Sequence, residues 1–159
     1  MIEVEFLGRA GQGILTSSNL LATAAFYEGK YTQSFPMFGA ERGGAPVHSF
    51  LRIDDTPINL RSQIQTPDYT IIFDDSLLKA EKINAKKEIF INSDKKLNMK
   101  ANVICCSKDN KYSNTALISY FIKKTKLISL PSLIKAIKER FDSETAKQNI
   151  EIAERFYKL

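Results

Sequence analysis

The chain has 159 residues, 23 of them basic and 18 acidic, for a net charge of +5 with its one histidine neutral. That length suits one domain, residues 1–159, around a single core. A composition of 43% hydrophobic and 26% charged residues is that of an ordinary globular protein and excludes a low-complexity chain.

No apolar run approaches the roughly 20 residues that a membrane-spanning helix needs. The acids Glu3 and Glu5 stand where a secretory signal would be basic, so a cytoplasmic location is expected. The lysines are scattered, as in Lys86-Lys87, Lys95-Lys96 and Lys123-Lys124, without interleaved aromatics. That pattern reads as a solvated surface rather than a nucleic-acid groove.

Val4 to Leu7, following Ile2-Glu3, predicts a first strand that ends at Gly8-Arg9-Ala10-Gly11-Gln12-Gly13. From Ile14 to about Glu28 the apolar spacing becomes helical, and Gly29 is a natural stop. A second strand is expected over Tyr31 to Phe35, then a loop from Pro36 through Gly44. Val47 to Ile53 alternates, with Val47, Ser49, Leu51 and Ile53 on one face and His48, Phe50 and Arg52 on the other. Tyr69 to Phe73 is almost wholly apolar, as suits a central strand covered on both sides. Asp74-Asp75-Ser76 reads as a capping cluster before a helix at Leu77 to about Ile83. Short strands follow at Glu88 to Ile91 and Val103 to Cys106. Helices are predicted over Asn114 to Lys124, from Pro131 with Leu133, Ile134, Ile137 and Phe141 at helical spacing, and from about Ser143 to Tyr157. The alternation points to an α/β layer fold with a mostly parallel sheet and a helical last third.

The glycine turn is the first candidate for chemistry. Glycines between a strand and a helix let the backbone approach a ligand, and the helix start offers open amides suited to phosphate. The spacing of Gly8, Gly11 and Gly13 is not the dinucleotide fingerprint, and Gln33-Ser34-Phe35 supplies no acid for a ribose. Ile14-Leu15 stands where a phosphate loop would carry Lys-Ser/Thr. Anion binding and plain helix–sheet packing both remain open for such a turn.

Phe35 to Pro46 is the second candidate, a loop with aromatics, glycines, Glu41 and Arg42 that reads either as a contact loop or as a solvated turn. Asp54-Asp55 and Asp74-Asp75 sit where turn and cap residues are expected rather than where two carboxylates would converge on one atom. His48 has no nucleophile in an activating context and reads as a packed or edge histidine. Cys105 and Cys106 are adjacent, so on a strand they point to opposite faces, and two cysteines fall short of the four that a conventional iron–sulfur cluster needs.

Both glycine-rich segments, with Tyr31-Thr32-Gln33-Ser34-Phe35-Pro36 between them, resemble the γ subunits of 2-oxoacid:ferredoxin oxidoreductases. The likeness continues through Arg52-Ile53, Pro57-Ile58, Thr66-Pro67-Asp68-Tyr69 and Asn114-Thr115-Ala116 into the closing helices. Phe38-Gly39-Ala40-Glu41-Arg42-Gly43-Gly44-Ala45-Pro46 is closer to the pyruvate and branched-chain types than to the 2-oxoglutarate type, although Gly43 stands where pyruvate-type chains often carry a second arginine.

The resemblance implies a Rossmann-like three-layer domain within a complex of α, β and δ subunits. That complex decarboxylates a 2-oxoacid, passes the acyl group to coenzyme A and the electrons to ferredoxin. It implies thiamine diphosphate, magnesium and iron–sulfur clusters on the partner subunits and none on this chain. Gly8, Arg9, Gly11, Gln12, Gly13 and Ile14 become candidates for the coenzyme's phosphates, and Phe38, Glu41 and Arg42 for a subunit seam near the acyl-transfer channel. A purely structural scaffold is the alternative within the complex. An independent nucleotide-binding module is a third reading, disfavoured by the missing acid.

Overall fold

The computed structural model describes residues 1–37, 45–106 and 111–159. Strand β1 (Ile2–Arg9) begins at the second residue and carries Val4 and Phe6 to one face, Glu5 and Leu7 to the other. Helix α1 (Ile14–Tyr27) leads to β2 (Tyr31–Met37), which turns back as β3 (Pro46–Asp54). Then come β4 (Tyr69–Ile72), a short 3-10 helix (Asp75–Lys79), β5 (Glu88–Asn92) and β6 (Asn102–Ile104). Helices α2 (Ser113–Thr125), α3 (Leu130–Arg140) and α4 (Ser143–Lys158) complete the chain.

The six strands lie in the order β2-β3-β1-β4-β5-β6. β4 and β5 run parallel to their neighbours from β1 to β6, while β3 runs antiparallel to both β1 and β2. Among the described residues only β3 therefore opposes the common direction, and the sheet is mostly parallel as the alternation predicts. β1 sends the chain through α1 toward the β2 side, whereas β4 sends it toward β5. The boundary between β1 and β4 is thus the point where successive connections diverge, the place where α/β sheets open a crevice beyond their carboxyl ends.

The four α-helices share one core with one face of the sheet, containing Val4, Phe6, Leu51, Ile71 and Phe90. Phe90 meets Phe121 edge-on at 5.1 Å between ring centres, a geometry worth about 0.5–1.5 kcal/mol beyond burial. On the opposite face, Leu7, Ile72 and Ile91 are covered by Leu77 of the 3-10 helix and by the segments around Ile83 and Leu97. The predicted helix over Leu77–Ile83 is only this single 3-10 turn. Asp74 caps it, and Leu77 is its one buried side chain. β2 reaches Met37 despite Pro36, which an edge strand tolerates because one side of its backbone faces no neighbour.

Beyond Leu7, the second face is held by ion pairs. Arg52 is buried, yet its guanidinium donates to Glu3 at 3.0 Å, to Gln33 Oε1 at 3.0 Å and to the carbonyl of Ser62 at 2.6 Å. It fastens the segment after β3 across the sheet, and its buried charge is matched by a carboxylate and by acceptors. His48 Nδ1 lies 2.8 Å from Glu5 Oε1, and Nε2 lies 3.9 Å from Glu81. The hydrogen bond to Glu5 outweighs burial, so the histidine holds its proton to a higher pH than a free one does. Asp54 accepts from the amides of Asp55 and Thr56, while Asp55 pairs with Lys30; the two carboxylates serve a turn and do not converge. Among the described residues no helix is long and apolar enough to cross a membrane.

Candidate functional site

Gly8 and Arg9 close β1, paired across the ladder with Val47 and Pro46. The chain then doubles back: the amide of Gln12 donates to the Arg9 carbonyl at 3.2 Å, and Gln12 Oε1 accepts from the Arg9 amide at 2.8 Å. Gly11 and Gly13 have φ of +85° and +72°, in the left-handed region that L side chains avoid. Gly13 is the N-cap of α1, and as a glycine it has no side chain with which to cap the first turn. Those first-turn amides carry the positive end of the helix dipole without an internal acceptor.

Beside them is a cleft of about 290 Å³ lined by Gly11, Gln12, Gly13, Phe73, Asn92, Lys111, Ser113 and Asn114. Phe73 and Asn92 stand at the carboxyl ends of β4 and β5, so the cleft lies at the sheet position that the topology favours. Asn92 is fixed there by accepting from the Cys106 amide at 2.9 Å. Ser113 and Asn114 open α2, whose N-cap, Tyr112, also provides no side-chain cap. Two helix starts and Lys111, whose ammonium lies over the Tyr112 ring, therefore border one cavity, a surrounding that favours a polyanion of phosphate type.

The candidates expected from the sequence divide in space. Gly11, Gln12 and Gly13 line the cleft. Gly8 is buried, and a Cβ added to it would lie 2.3 Å from Ile14 Cδ1. Ile14 itself packs into the helical core, with its side chain against Gly8 at the base of the turn. Arg9 turns to the side, with Nε 3.0 Å from Asp74 Oδ2 and a terminal nitrogen donating to Ser76 Oγ at 2.8 Å.

Burial pushes the Asp74 carboxyl up, but hydrogen bonds from Ser76 and the Arg9 guanidinium outweigh it and hold it below the usual aspartate value. Phe38, Glu41 and Arg42 lie outside the described residues. The strands on either side of them end at Met37 and begin at Pro46, and Pro46 is paired with Arg9, at the same end of the sheet as the glycine turn.

Phe73, Asn92, Lys111 and Ser113 were not singled out by the sequence. They come from separate elements with no shared local pattern, and only the sheet order brings them together. Asn114 appeared solely within the family resemblance, and its side chain is what a Cβ on Gly13 would strike, at 2.7 Å.

A glycine turn between β1 and α1, at the diverging point of a mostly parallel α/β sheet, defines a protein of Rossmann-like class. A family model described as pyruvate ferredoxin/flavodoxin oxidoreductase matches residues 3–159. The pyruvate/ketoisovalerate oxidoreductases common subunit gamma of Pyrococcus furiosus is 40% identical, with 99% of this chain and 96% of that protein covered. The crystal structure of pyruvate oxidoreductase subunit PORC from Thermotoga maritima superposes with a TM-score of 0.81 at 27% identity, covering 99% of this chain and 95% of its own. The 2-oxoglutarate:ferredoxin oxidoreductase of Magnetococcus marinus, solved with 2-oxoglutarate, coenzyme A and succinyl-CoA bound, has a TM-score of 0.78. It is 17% identical and matches 98% of this chain against 30% of its own, a likeness of fold alone. The chain belongs to the pyruvate ferredoxin/flavodoxin oxidoreductase family and, within it, to the gamma-subunit type.

Proposed function

We propose that this γ-type chain completes a pyruvate or ketoisovalerate:ferredoxin oxidoreductase and holds the phosphate end of coenzyme A at its glycine turn. The complex oxidatively decarboxylates the 2-oxoacid, giving CO2, acyl-coenzyme A and two electrons for ferredoxin. Thiamine diphosphate, magnesium and the iron–sulfur clusters belong to the α, β and δ partners. This chain works as one domain, residues 1–159. It contributes binding and orientation: the backbone around Gly11, Gln12, Gly13 and Ile14 meets the phosphates, and Gly8 and Arg9 shape the turn beneath. Phe38, Glu41 and Arg42 belong to the seam with the α or β subunit.

The observation that carries this reading is the cleft itself, with the first turns of α1 and α2 and Lys111 around one cavity. Its chemistry suits a diphosphate better than a neutral metabolite. That a protein of the same fold was solved with coenzyme A bound is consistent with it. The scaffold reading draws on a different observation, that Arg9, the most obvious phosphate ligand in the sequence, is engaged by Asp74.

Coenzyme A titrated into the assembled complex separates the two. A Cβ at Gly11 meets nothing within 4 Å, so the Gly11→Asn variant bears only the backbone penalty, and Gly11→Asp adds a charge. Two unit charges about 5 Å apart at an effective dielectric near 20 repel by about 3 kcal/mol before screening. Gly11→Asp is therefore expected to bind coenzyme A at least about tenfold more weakly than Gly11→Asn. Equal affinities would favour the scaffold.

A further inference from the structure

Asp74 follows the end of β4 and takes no part in lining the cleft, yet it gathers the side chains that give the glycine turn its shape. Its Oδ2 accepts from Arg9 Nε at 3.0 Å and from Gln12 Nε2 at 3.4 Å. Its Oδ1 accepts from the amide of Ser76 at 3.0 Å and from the Ser76 hydroxyl at 2.6 Å. Gln12 Oε1 returns to the Arg9 amide at 2.8 Å, and Ser76 Oγ accepts from the Arg9 guanidinium at 2.8 Å. Asp74, Arg9 and Gln12 thus close a ring of hydrogen bonds around the base of the turn, with Ser76 bracing it from the 3-10 helix.

A three-glycine bend has many backbone conformations open to it, and it presents its amides to a ligand in one arrangement only if something outside holds it. The ring does this through Arg9 and Asp74, which do not line the cavity, and Gln12, which does. Its charges also balance: the Arg9 guanidinium covers the Asp74 carboxylate, which unpaired would repel an anion nearby.

We propose that Asp74 is a positioning residue for the coenzyme site, fixing Arg9 and Gln12 so that the turn meets the anion ready-shaped. The proposal rests on the coenzyme reading above. It assigns Asp74 no contact with the ligand and gives Arg9 a shaping role in place of direct phosphate contact.

Steady-state kinetics of the assembled complex test it. Asp74→Ala should raise KM for coenzyme A roughly tenfold, with kcat at saturating coenzyme A and KM for the oxoacid unchanged, because only the pre-organisation of one site is lost. Asp74→Asn keeps one acceptor oxygen and should recover part of the loss. Ser76→Ala removes one brace and should raise the same KM by a smaller factor. A purely structural Asp74 would lower thermal stability while leaving KM for coenzyme A at the wild-type value, which overturns the proposal. Tighter coenzyme A binding in Asp74→Ala would also overturn it, since Asp74 would then be competing with the ligand for Arg9. Should Asp74→Ala fail to assemble, wild-type KM values in both Asp74→Asn and Ser76→Ala would have the same force. Gly11→Asp in parallel separates the two claims. If it too leaves coenzyme A binding unchanged, the coenzyme reading has failed; if it weakens binding while the Asp74 variants do not, only the positioning role has.

Discussion

Gly13 must take a φ of +72° to begin α1, and its missing side chain makes room for Asn114 of α2. Gly13→Ala brings a left-handed alanine and a Cβ 2.7 Å from Asn114 Nδ2. Holding an alanine in the left-handed region costs about 1–2 kcal/mol, and the asparagine must then move as well. Urea unfolding of the purified chain should show a loss of at least about 1 kcal/mol for Gly13→Ala, and a smaller loss for Gly11→Ala, where the space is open. An unchanged midpoint for Gly13→Ala would contradict this packing. The bend at Gly8 to Gly13 was legible in the sequence because glycines between a strand and a helix have few other uses. The engagement of Arg9 was not: its partner Asp74 lies far along the chain and reads locally as a helix cap, a role it also fills.

β3 shows best what alternation can tell. Leu51 and Ile53 enter the helical core while His48, Phe50 and Arg52 take the other face, as the period of two requires. What alternation cannot tell is the partner of each polar residue on that second face. Sheet order sets Glu5 beside Phe50 and within reach of His48, and Glu3 opposite Arg52.

The His48–Glu5 pair has a testable pH dependence. Because the folded state raises the histidine's pKa above its free value near 6.5, the pair stabilises fully below that value. The contribution is lost as pH rises through the raised folded pKa. The unfolding midpoints of wild type and His48→Gln should therefore differ more at pH 6 than at pH 9; an equal gap at both would show that the charge on His48 adds nothing. Element ends were less legible than element kinds. The sequence carried a strand to Cys106, whereas β6 is a three-residue edge strand ending at Ile104, with Cys105 exposed and Cys106 buried.

At the level of the whole molecule, one sheet carries both hydrophobic clusters, and β1 contributes to each through Phe6 and Leu7. A chain organised as one domain should lose both clusters together. Fluorescence and far-ultraviolet circular dichroism are expected to report a single coincident urea transition, and two separated transitions would divide the domain. The α/β class and the helical last third could be read from alternation, and the family from two glycine-rich segments in order. The cleft could not, because its walls come from β4, β5 and α2 as well as the turn, and no local spacing encodes that convergence. On the proposed function, open amides at the start of α1 receive the coenzyme's phosphates within the assembled enzyme. Amide hydrogen exchange of the complex, with and without saturating coenzyme A, tests it most directly. Exchange at Gly11 to Leu15 should slow on binding; exchange there unchanged, while the enzyme turns over coenzyme A normally, would contradict the claim.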